Sequence, residues 1–596
     1  MIKTACALDC PDACTILVDP LKFPQLDSET SNGTLCSLLN RDIFDTPRIE
    51  KPTIDGIEVS MDEALDAVSK LLGSDSLLWR GSGNFAVMQE VTNLLFEKID
   101  GSITKGTLCD GAGDAGICEG RGVNRTLPPE QIGRAEVIVV WGRNPSITNS
   151  HIVPYLKEKK IVVIDPVATP LAKKADLHIQ IKPRSDIYLA LMLSRFIFME
   201  DSEDSEWMEE FAPDFEEFYD FTREFRIKAI LMHMGIDLDD MGRLLSYMQH
   251  ERVVFLVGNG IQKYSIGHYT MWAIDSLAST LGLYGKEGSG VSYLGNSKLG
   301  FDNPFEVNCK RVSKVDTKFG DFATVLIQGG NPAESMPNSS RVIEELERVE
   351  NLIYFGLYEN ESSRRAKIVI PAKNFFEKDD LRLSYGDHSV KRLNRVLDSD
   401  IGISEHEFVK AIYDKLGFDG LKSQDEYIEY WLNQCDKIDD EYRSKAYEEY
   451  PYREGFGIDG DDEFLFIDDF DDNFESLKHL QKYRKMSGDK IKMEEYWLLT
   501  PKSKHSLNTQ FRRDDSVELH PDLGFEDEER VLIESKYGSH MFRVKNSPDV
   551  REDSVVIRAN VIGVNYLTPP IISEEGESAC YQEVKVVIKK SKIILK

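Results

Sequence analysis

Four cysteines near the start of the chain have the spacing that most directly predicts chemistry. Three of them fall within nine residues, and the fourth lies farther along the chain. The pattern is C-x3-C-x3-C-x21-C, formed by Cys6, Cys10, Cys14 and Cys36. Thiolates are soft ligands, and four of them can enclose a polynuclear iron–sulfur cluster. The spacing therefore predicts a 4Fe-4S cluster and a role in electron transfer.

Zinc binding and unrelated thiols are the two alternatives for these cysteines. A structural zinc site usually takes two separate, closely spaced pairs of Cys or His, whereas here three cysteines share one run. The four could also be thiols with no common ligand. Disulfides require an oxidising compartment, which nothing in the sequence indicates.

Length and charge exclude several classes of protein. A chain of 596 residues is too long for one core and predicts several domains. The net charge of −31 disfavours binding to nucleic acid or to an anionic membrane surface. We find no apolar run long enough for a membrane span, and the first cysteine leaves no room for a signal peptide. We therefore expect a cytoplasmic protein.

Several short, β-branched runs without polar alternation predict strands buried on both faces of parallel sheets. Helical stretches such as 186–200 lie between them, an alternation typical of Rossmann-like α/β units. The runs cover residues 136–146, 160–170, 252–262, 323–335, 351–363 and 366–372.

Small or polar residues end these predicted strands, where parallel sheets bind ligands. Glycines there let backbone N–H groups approach a phosphate, although Gly and Asn are also ordinary turn residues. The pattern predicts a large, phosphate-bearing cofactor across two sheets, and the lack of G-x-G-x-x-G with a downstream acid disfavours NAD. The residues are Gly142, Asp165, Gly258, Gly260, Gly329, Gly330 and Asn331.

An ordered series of motifs runs through nearly the whole chain: TACALDCPDAC, RGSGNFAVMQ, GTLCDGAGDAG, VVWGRNPSITNSH, LVGNGIQ, GGNPAESMPN and LLTPKSKHSLNTQF. With these motifs the chain resembles the molybdopterin oxidoreductase family, of the dimethyl sulfoxide reductase type with an amino-terminal iron–sulfur module. The resemblance implies molybdenum or tungsten held by two pyranopterin guanine dinucleotides, together with one 4Fe-4S cluster.

The predicted fold is multidomain α/β. It has a small iron–sulfur module, two Rossmann-like α/β domains and a carboxy-terminal β-barrel that closes over the cofactor. A segment rich in acids and aromatics is interpreted as a solvated insertion, with partner docking as the alternative. The predicted boundaries are 1–55 for the cluster module, 56–125 and 320–420 for the first α/β domain, 126–319 for the second, 421–490 for the acidic insertion and 491–596 for the barrel.

The resemblance also implies the residues that hold the cofactor. One guanine dinucleotide would be held by Trp141, Gly142, Asn144, Asp165 and Asp186. Other parts of the pair would be lined by Gly258, Gly260, Gly329, Asn331 and Pro332. The stretch that closes over the pterins would contain Pro501, Ser503, His505, Asn508 and Gln510.

The family usually adds one metal ligand from the protein, and Cys109 lies in the matching region. Cys118 is the second candidate, and Asp110 is a third possibility as ligand or as acid–base group. A buried structural cysteine is the alternative for each thiol. The chain departs from the family where a lysine commonly follows the fourth cluster cysteine, because Leu38 stands in that region. Gly356 replaces an acid, and Arg184 replaces the glycine of a Gly-Thr-Asp motif.

These features predict an enzyme that carries out two-electron oxo or hydride-equivalent transfer on a small molecule. Its cluster would relay electrons to a ferredoxin-like protein or an iron–sulfur subunit. Two alternatives remain: a non-redox hydratase or lyase on the same scaffold, and an electron-transfer subunit without the metal site. Formate chemistry is disfavoured, because Asp110 stands where that chemistry calls for a histidine beside the metal ligand.

Overall fold

The chain begins with a small antiparallel sheet. The computed structural model describes residues 1–29, 34–438, 441–457, 462–470 and 495–590. The sheet consists of β1 (Ile2–Ala5), β2 (Thr15–Val18) and β3 (Leu26–Ser28), and the one-turn helix α1 (Ile43–Asp45) follows it. Because Phe375 and Phe376 pack against its apolar side chains, this module is anchored to the rest of the chain.

The next segment starts a larger sheet. It contributes β4 (Thr53–Ile54), β5 (Ile57–Glu58), β6 (Ser76–Arg80) and β7 (Ser102–Lys105), with helices α2 (Met61–Leu71), α3 (Thr92–Lys98) and α4 (Gly111–Arg121). A capping box formed by Ser60 and Glu63 starts α2, which buries Leu65 and Val68 on one face.

A second sheet of five strands follows, and all of its pairings are parallel. Its order is β10-β9-β8-β11-β12: β8 (Val137–Trp141), β9 (Lys160–Ile164), β10 (Leu177–Ile179), β11 (Val253–Val257) and β12 (Gly290–Ser292). Its helices are α5 (Pro129–Arg134), α6 (Pro145–Thr148), α7 (Asp186–Met199), α8 (Ser205–Phe211), α9 (Phe215–Arg223), α10 (Ile227–Met234), α11 (Leu238–Met248) and α12 (Gly267–Thr280). The predicted buried strands and the helix at 186–200 are confirmed here.

The chain then returns to complete the larger sheet, which has eight strands in the order β13-β7-β6-β14-β15-β16-β4-β5. The added elements are β13 (Lys310–Ser313), β14 (Thr324–Gln328), α13 (Pro332–Ser335), α14 (Ser339–Arg348), β15 (Asn351–Gly356) and β16 (Ile368–Pro371). The sheet therefore takes β4 and β13 from segments predicted for other domains. Strand β13 has the sequence KRVS and gives no apolar run that could have predicted it.

A four-stranded antiparallel sheet comes next, in the order β17-β18-β20-β19. Its elements are β17 (Asp380–Leu383), β18 (Ser389–Leu393), α15 (Glu405–Leu416), α16 (Gln424–Leu432), β19 (Cys435–Ile438) and β20 (Glu441–Ser444). The predicted acidic insertion is thus partly regular structure, and its aromatic side chains Trp431, Tyr452, Phe456, Phe464 and Phe470 are buried. Residues 471–490 of that prediction lie outside the described residues.

A fully buried ion pair ties the aromatic segment to the second sheet's helices. Arg121 Nε on α4 donates to Asp275 Oδ2 on α12 at 2.8 Å. Tyr284 donates its hydroxyl proton to the other carboxylate oxygen, at 2.9 Å. The Tyr452 ring packs under the Arg121 guanidinium, so the segment after β20 is fixed on this pair.

The carboxy-terminal part forms a closed barrel of six strands, which confirms the predicted barrel. Its order is β21-β27-β24-β26-β25-β28, and β22 and β23 form a separate hairpin. The strands are β21 (Tyr496–Leu499), β22 (Ser506–Leu507), β23 (Gln510–Phe511), β24 (Ser516–Leu519), β25 (Arg530–Ser535), β26 (Gly538–Asn546), β27 (Ser554–Val556) and β28 (Lys585–Lys590). Within the described ranges, no helix has both the length and the apolar character needed to cross a bilayer.

Candidate active site

A cavity of about 1610 Å³ lies where the five-stranded sheet, the eight-stranded sheet, the cysteine module and the carboxy-terminal part meet. Pockets for drug-sized ligands are roughly 300–1,000 Å³, so this one has room for a larger group. Most of the predicted site residues line it: Cys6, Cys10, Cys14, Cys36, Cys109, Asp110, Gly142, Asn144, Asp165, Asp186, Gly258, Gly260, Gly329, Asn331, Pro501, Ser503, Asn508 and Gln510.

Four residues singled out from the sequence are absent from the cavity wall. Trp141 is fully buried behind it, and Pro332 is buried at the start of α13. His505 is turned toward Ser37, with its Nδ1 3.3 Å from the Ser37 hydroxyl oxygen. Cys118 is exposed on α4. Cys109 is exposed as well, but it lines the cavity, so the structure favours Cys109 over Cys118 as the candidate metal ligand.

The β1–β2 hairpin brings the amino-terminal thiols together. Cys6 and Cys14 flank the paired residues Ala5 and Thr15, and Cys6 N donates to Cys14 O at 2.9 Å. Burial, together with the nearby Cys36 thiol, raises the pKa of Cys6 to about 12. Binding all four as thiolates at neutral pH therefore requires a group that brings positive charge and displaces their protons.

The separation of these sulfur atoms bears on which metal group fits. A single tetrahedral zinc ion with Zn–S bonds of about 2.3 Å holds its sulfur ligands about 3.8 Å apart. Among the described residues, no three of the cysteines bring their sulfur atoms within 4.8 Å of one another. The arrangement favours a larger, polynuclear group over a single zinc ion.

The second sheet presents a glycine-rich edge to the cavity. Gly142 directly follows β8 and has a φ of +57°, a conformation that favours glycine. Gly258 N donates to Trp141 O at 2.9 Å, and Gly260 N donates to Gly142 O at 3.2 Å. A Cβ atom on Gly258 would lie 2.5 Å from Gly142 O, so these two strand ends touch backbone to backbone.

The eight-stranded sheet repeats this construction. Gly329 directly follows β14 and has a φ of +56°. Gly81 N donates to Gln328 O at 2.8 Å, and Gly83 N donates to Gly329 O at 2.9 Å. Gly81 and Gly83 were not singled out from the sequence. The signal was present, because RGSG follows β6 as VGNG follows β11. The cavity thus lies between two strand ends that have the same glycine-rich backbone arrangement.

Two buried carboxyl groups mark the wall beside the second sheet. Burial, with a smaller effect from the charge of Asp186, raises the pKa of Asp165 to about 7. Burial also raises the pKa of Asp186 to about 6, although Trp141 Nε1 donates to its Oδ1 at 2.7 Å. Trp141 therefore orients Asp186. The pair can accept hydrogen bonds from N–H groups of a ligand.

The loop after β11 holds the Cys109 loop from several directions. Asn259 Nδ2 donates to Cys109 Sγ at 3.1 Å, and Gln262 Nε2 donates to Cys109 O at 2.9 Å. Lys263 Nζ donates to the carbonyls of both Leu108 and Cys109. These three side chains were not predicted from the sequence, because their partners lie about 150 residues away in the chain.

The electrostatic environment of Cys109 combines burial with charges of both signs. Burial raises the pKa of the Cys109 thiol to about 11, and Asp110 raises it while Lys263 lowers it. Burial lowers the pKa of Lys263 in turn. A metal bound to this sulfur would favour the thiolate outright.

A segment from the end of the chain covers the Cys109 loop. Gly106 and Gly111 lie so close to Glu577 and Gly576 that a Cβ atom on either glycine would collide with the opposite backbone. Thr107 N donates to Glu577 O at 3.2 Å, and Lys105 pairs with the Glu577 carboxylate. The candidate ligand is therefore held from both sides.

A family model described as molybdopterin oxidoreductase matches residues 48–401, more than half of the chain. The chain belongs to the molybdopterin oxidoreductase family. The family implies a pterin cofactor that carries molybdenum or tungsten, and it makes this protein a molybdopterin-dependent oxidoreductase by enzyme class.

Relatives of the chain include a probable oxidoreductase and a formate dehydrogenase subunit. The chain is 24% identical over 479 residues to the probable oxidoreductase YoaE of Bacillus subtilis, covering 72% of this chain and 70% of that protein. It is 23% identical to the F420-dependent formate dehydrogenase 1 subunit alpha of Methanococcus maripaludis, covering 95% of each. Among solved structures, acetylene hydratase from Pelobacter acetylenicus shares the fold with a TM-score of 0.75 at 13% identity, covering 99% of this chain and 100% of that one.

The residues on the cavity wall fit a large polar cofactor of this kind. Buried polar atoms there lack partners in the described part of the chain, among them Asn144 Oδ1, Arg80 Nε and Arg143 Nε. Unpaired buried donors and acceptors are unfavourable, and a ligand that carries phosphates and a purine would pair them.

Proposed function

We propose that this protein binds molybdenum or tungsten through two pyranopterin guanine dinucleotides and catalyses two-electron oxo or hydride-equivalent transfer. The observation that carries the proposal is the position of Cys109. Its sulfur faces a cavity that lies between the glycine-rich ends of β8 and β14 and that the four amino-terminal cysteines also line.

When bound, the metal would serve as electron sink and Lewis acid. Cys109 would be its protein ligand, and Asp110 would act beside it as acid or base. Asp165 and Asp186 would accept hydrogen bonds from the donor edge of one guanine. The remaining contacts would come from strand ends and from the closing segment: Gly142, Asn144, Gly258, Gly260, Gly329, Asn331, Pro501, Ser503, Asn508 and Gln510.

Cys6, Cys10, Cys14 and Cys36 would hold one 4Fe-4S cluster. The cluster would pass electrons one at a time to a ferredoxin-like protein or an iron–sulfur subunit. A cytoplasmic location belongs to the same proposal, because a reducing compartment keeps such thiols available as ligands.

Elemental analysis of the anaerobically purified protein tests both metal sites. We expect about four irons and four sulfides per chain with one molybdenum or tungsten, and a paramagnetic signal on reduction that Cys36→Ala removes. Stoichiometric zinc without iron would overturn the cluster. A panel of dye-linked assays with formate, nitrate, N-oxides and S-oxides then identifies the substrate class.

A non-redox hydratase is the second candidate. It is favoured by the fold shared with acetylene hydratase over 99% of the chain, together with a carboxyl group, Asp110, next to Cys109. Product formation with no added electron acceptor would establish it. The third candidate, an electron-transfer subunit, would contain iron without molybdenum or tungsten.

A further inference from the structure

We propose that His151 is a positioning residue for the cluster, donating a hydrogen bond from Nε2 to the Cys14 thiolate. The inference rests on the proposed function, because it requires a cluster on the four cysteines. It adds a residue that belongs to none of the predicted sites.

The geometry that carries the proposal is a contact across two domains. His151 Nε2 lies 3.3 Å from Cys14 Sγ, although the two residues are 137 positions apart. A cysteine bound to iron has lost its proton, so only the histidine nitrogen can donate in this contact. An N–H···S bond to a ligand thiolate stabilises the more negative, reduced cluster and raises its potential.

A hydrogen-bonded chain fixes the segment that presents His151. The Asp12 carboxylate, two residues before Cys14, accepts from His151 N at 3.4 Å and from the Asn149 amide. Asn149 Oδ1 in turn accepts from Arg143 Nη2 at 2.6 Å. Asn149 and Arg143 are both buried, so the segment is held where its histidine meets the sulfur.

These hydrogen bonds between Asp12, Asn149 and Arg143 have a second consequence for the site. Arg143 lies next to Gly142, the residue that follows β8 at the cavity. The cysteine loop and the strand end proposed to hold a guanine dinucleotide are therefore joined through Asp12, Asn149 and Arg143. The proposed donor, His151, lies beside this junction.

Redox titration of the cluster signal tests the role of His151. His151→Phe removes the donor and keeps a planar ring, whereas His151→Gln keeps an N–H donor. We expect His151→Phe to retain full iron and to shift the midpoint to a more negative potential, and His151→Gln to restore most of the shift. His540→Phe, whose ring stacks on Tyr566 in the barrel, is the control and should not move the midpoint.

An unchanged midpoint in fully iron-loaded His151→Phe overturns the inference and leaves the proposed function intact. A second measurement covers the case in which that variant loses its iron. Pulsed electron paramagnetic resonance on wild-type protein with ¹⁵N-labelled histidine should show a histidine nitrogen coupled to the reduced cluster. A wild-type cluster without that coupling also overturns the inference, and wild-type protein without iron overturns the proposed function together with it.

Discussion

Asn259 Nδ2 lies 3.1 Å from Cys109 Sγ, so an amide from the second sheet's edge donates directly to the candidate metal ligand. Such partners of ligands orient them and tune the metal, and their loss typically lowers metal affinity or activity about 10- to 100-fold. We expect Asn259→Leu to lower kcat within that range and to leave the iron content unchanged. Steady-state kinetics with metal analysis measures both quantities.

The control for this variant is Asn433→Leu, at the exposed carboxy-terminal end of α16. It changes the same side chain far from the cavity and should leave kcat unchanged. Wild-type kcat in Asn259→Leu would show that the contact with Cys109 is dispensable.

Cys109→Ala should abolish turnover, because the molybdenum or tungsten loses its protein ligand. The cluster signal should persist, because the four amino-terminal cysteines that would hold the cluster are unchanged. Cys118→Ala should retain activity, since Cys118 lies on α4 away from the cavity wall. Activity assays and paramagnetic resonance on both variants decide the assignment. The reverse pattern would make Cys118 the ligand.

Asp165 should lower the stability of the cofactor-free protein, relative to a variant without this carboxyl group, as the pH rises from about 4 to about 7. Asp165 has an ordinary pKa near 4 in the unfolded chain and about 7 in the folded one, where burial disfavours its charge. The folded state therefore retains the proton that the unfolded state releases, and folding is penalised progressively across this window and by a constant amount above it.

Asp165→Asn should remove this dependence and stabilise the cofactor-free protein above pH 7 by a few kcal/mol, since each pKa unit corresponds to about 1.4 kcal/mol. Near pH 4 the variant and the wild type should be equally stable. Urea denaturation at several pH values measures this, and parallel pH profiles for the two proteins would contradict it.

The buried pair of Arg121 and Asp275 gives a prediction about stability alone. Arg121→Met leaves a buried carboxylate without its partner and should destabilise the fold by about 3–5 kcal/mol. The double variant with Asp275→Leu removes the unpaired charge and should recover most of that loss. Equilibrium denaturation compares the three proteins, and equal losses in the single and double variants would contradict the argument.

Leu38 lines the cavity, in the region where the family resemblance leads us to expect a lysine. Leu38→Lys should raise the midpoint of the cluster, because a nearby positive charge stabilises the reduced state. The alternative that Arg41 replaces this charge is disfavoured, since its Nε donates to Asp42 Oδ1 at 2.9 Å and its side chain is 44% exposed. Redox titration should therefore find no change in Arg41→Ala; a drop there, with none in Leu38→Lys, would reverse the assignment.

Strongly patterned segments made much of the fold predictable. The runs that became β8, β9, β11 and β14 are continuous and apolar because both faces of these strands are covered. Strand β13 was missed because its exposed sequence KRVS has no such constraint. The aromatic residues after 420 were interpreted as solvated because their acidic neighbours dominate the composition, yet the rings themselves pack into the cores.

The candidate site, like the fold, was predictable from the sequence only in part. Cysteines and strand-end glycines are visible because metal binding and close backbone approach restrict the residue type at each position. Asn259, Lys263 and His151 were missed because their roles arise only from contacts across more than 130 residues of chain. Local sequence carries no signal for such a contact.

The contact between Gly111 and Gly576 leaves no room for a side chain on either residue, because an added Cβ atom would meet the opposite backbone. Even Gly111→Ala or Gly576→Ala would therefore have to push the two backbones apart. The segment near 576 would then no longer lie directly on the Cys109 loop.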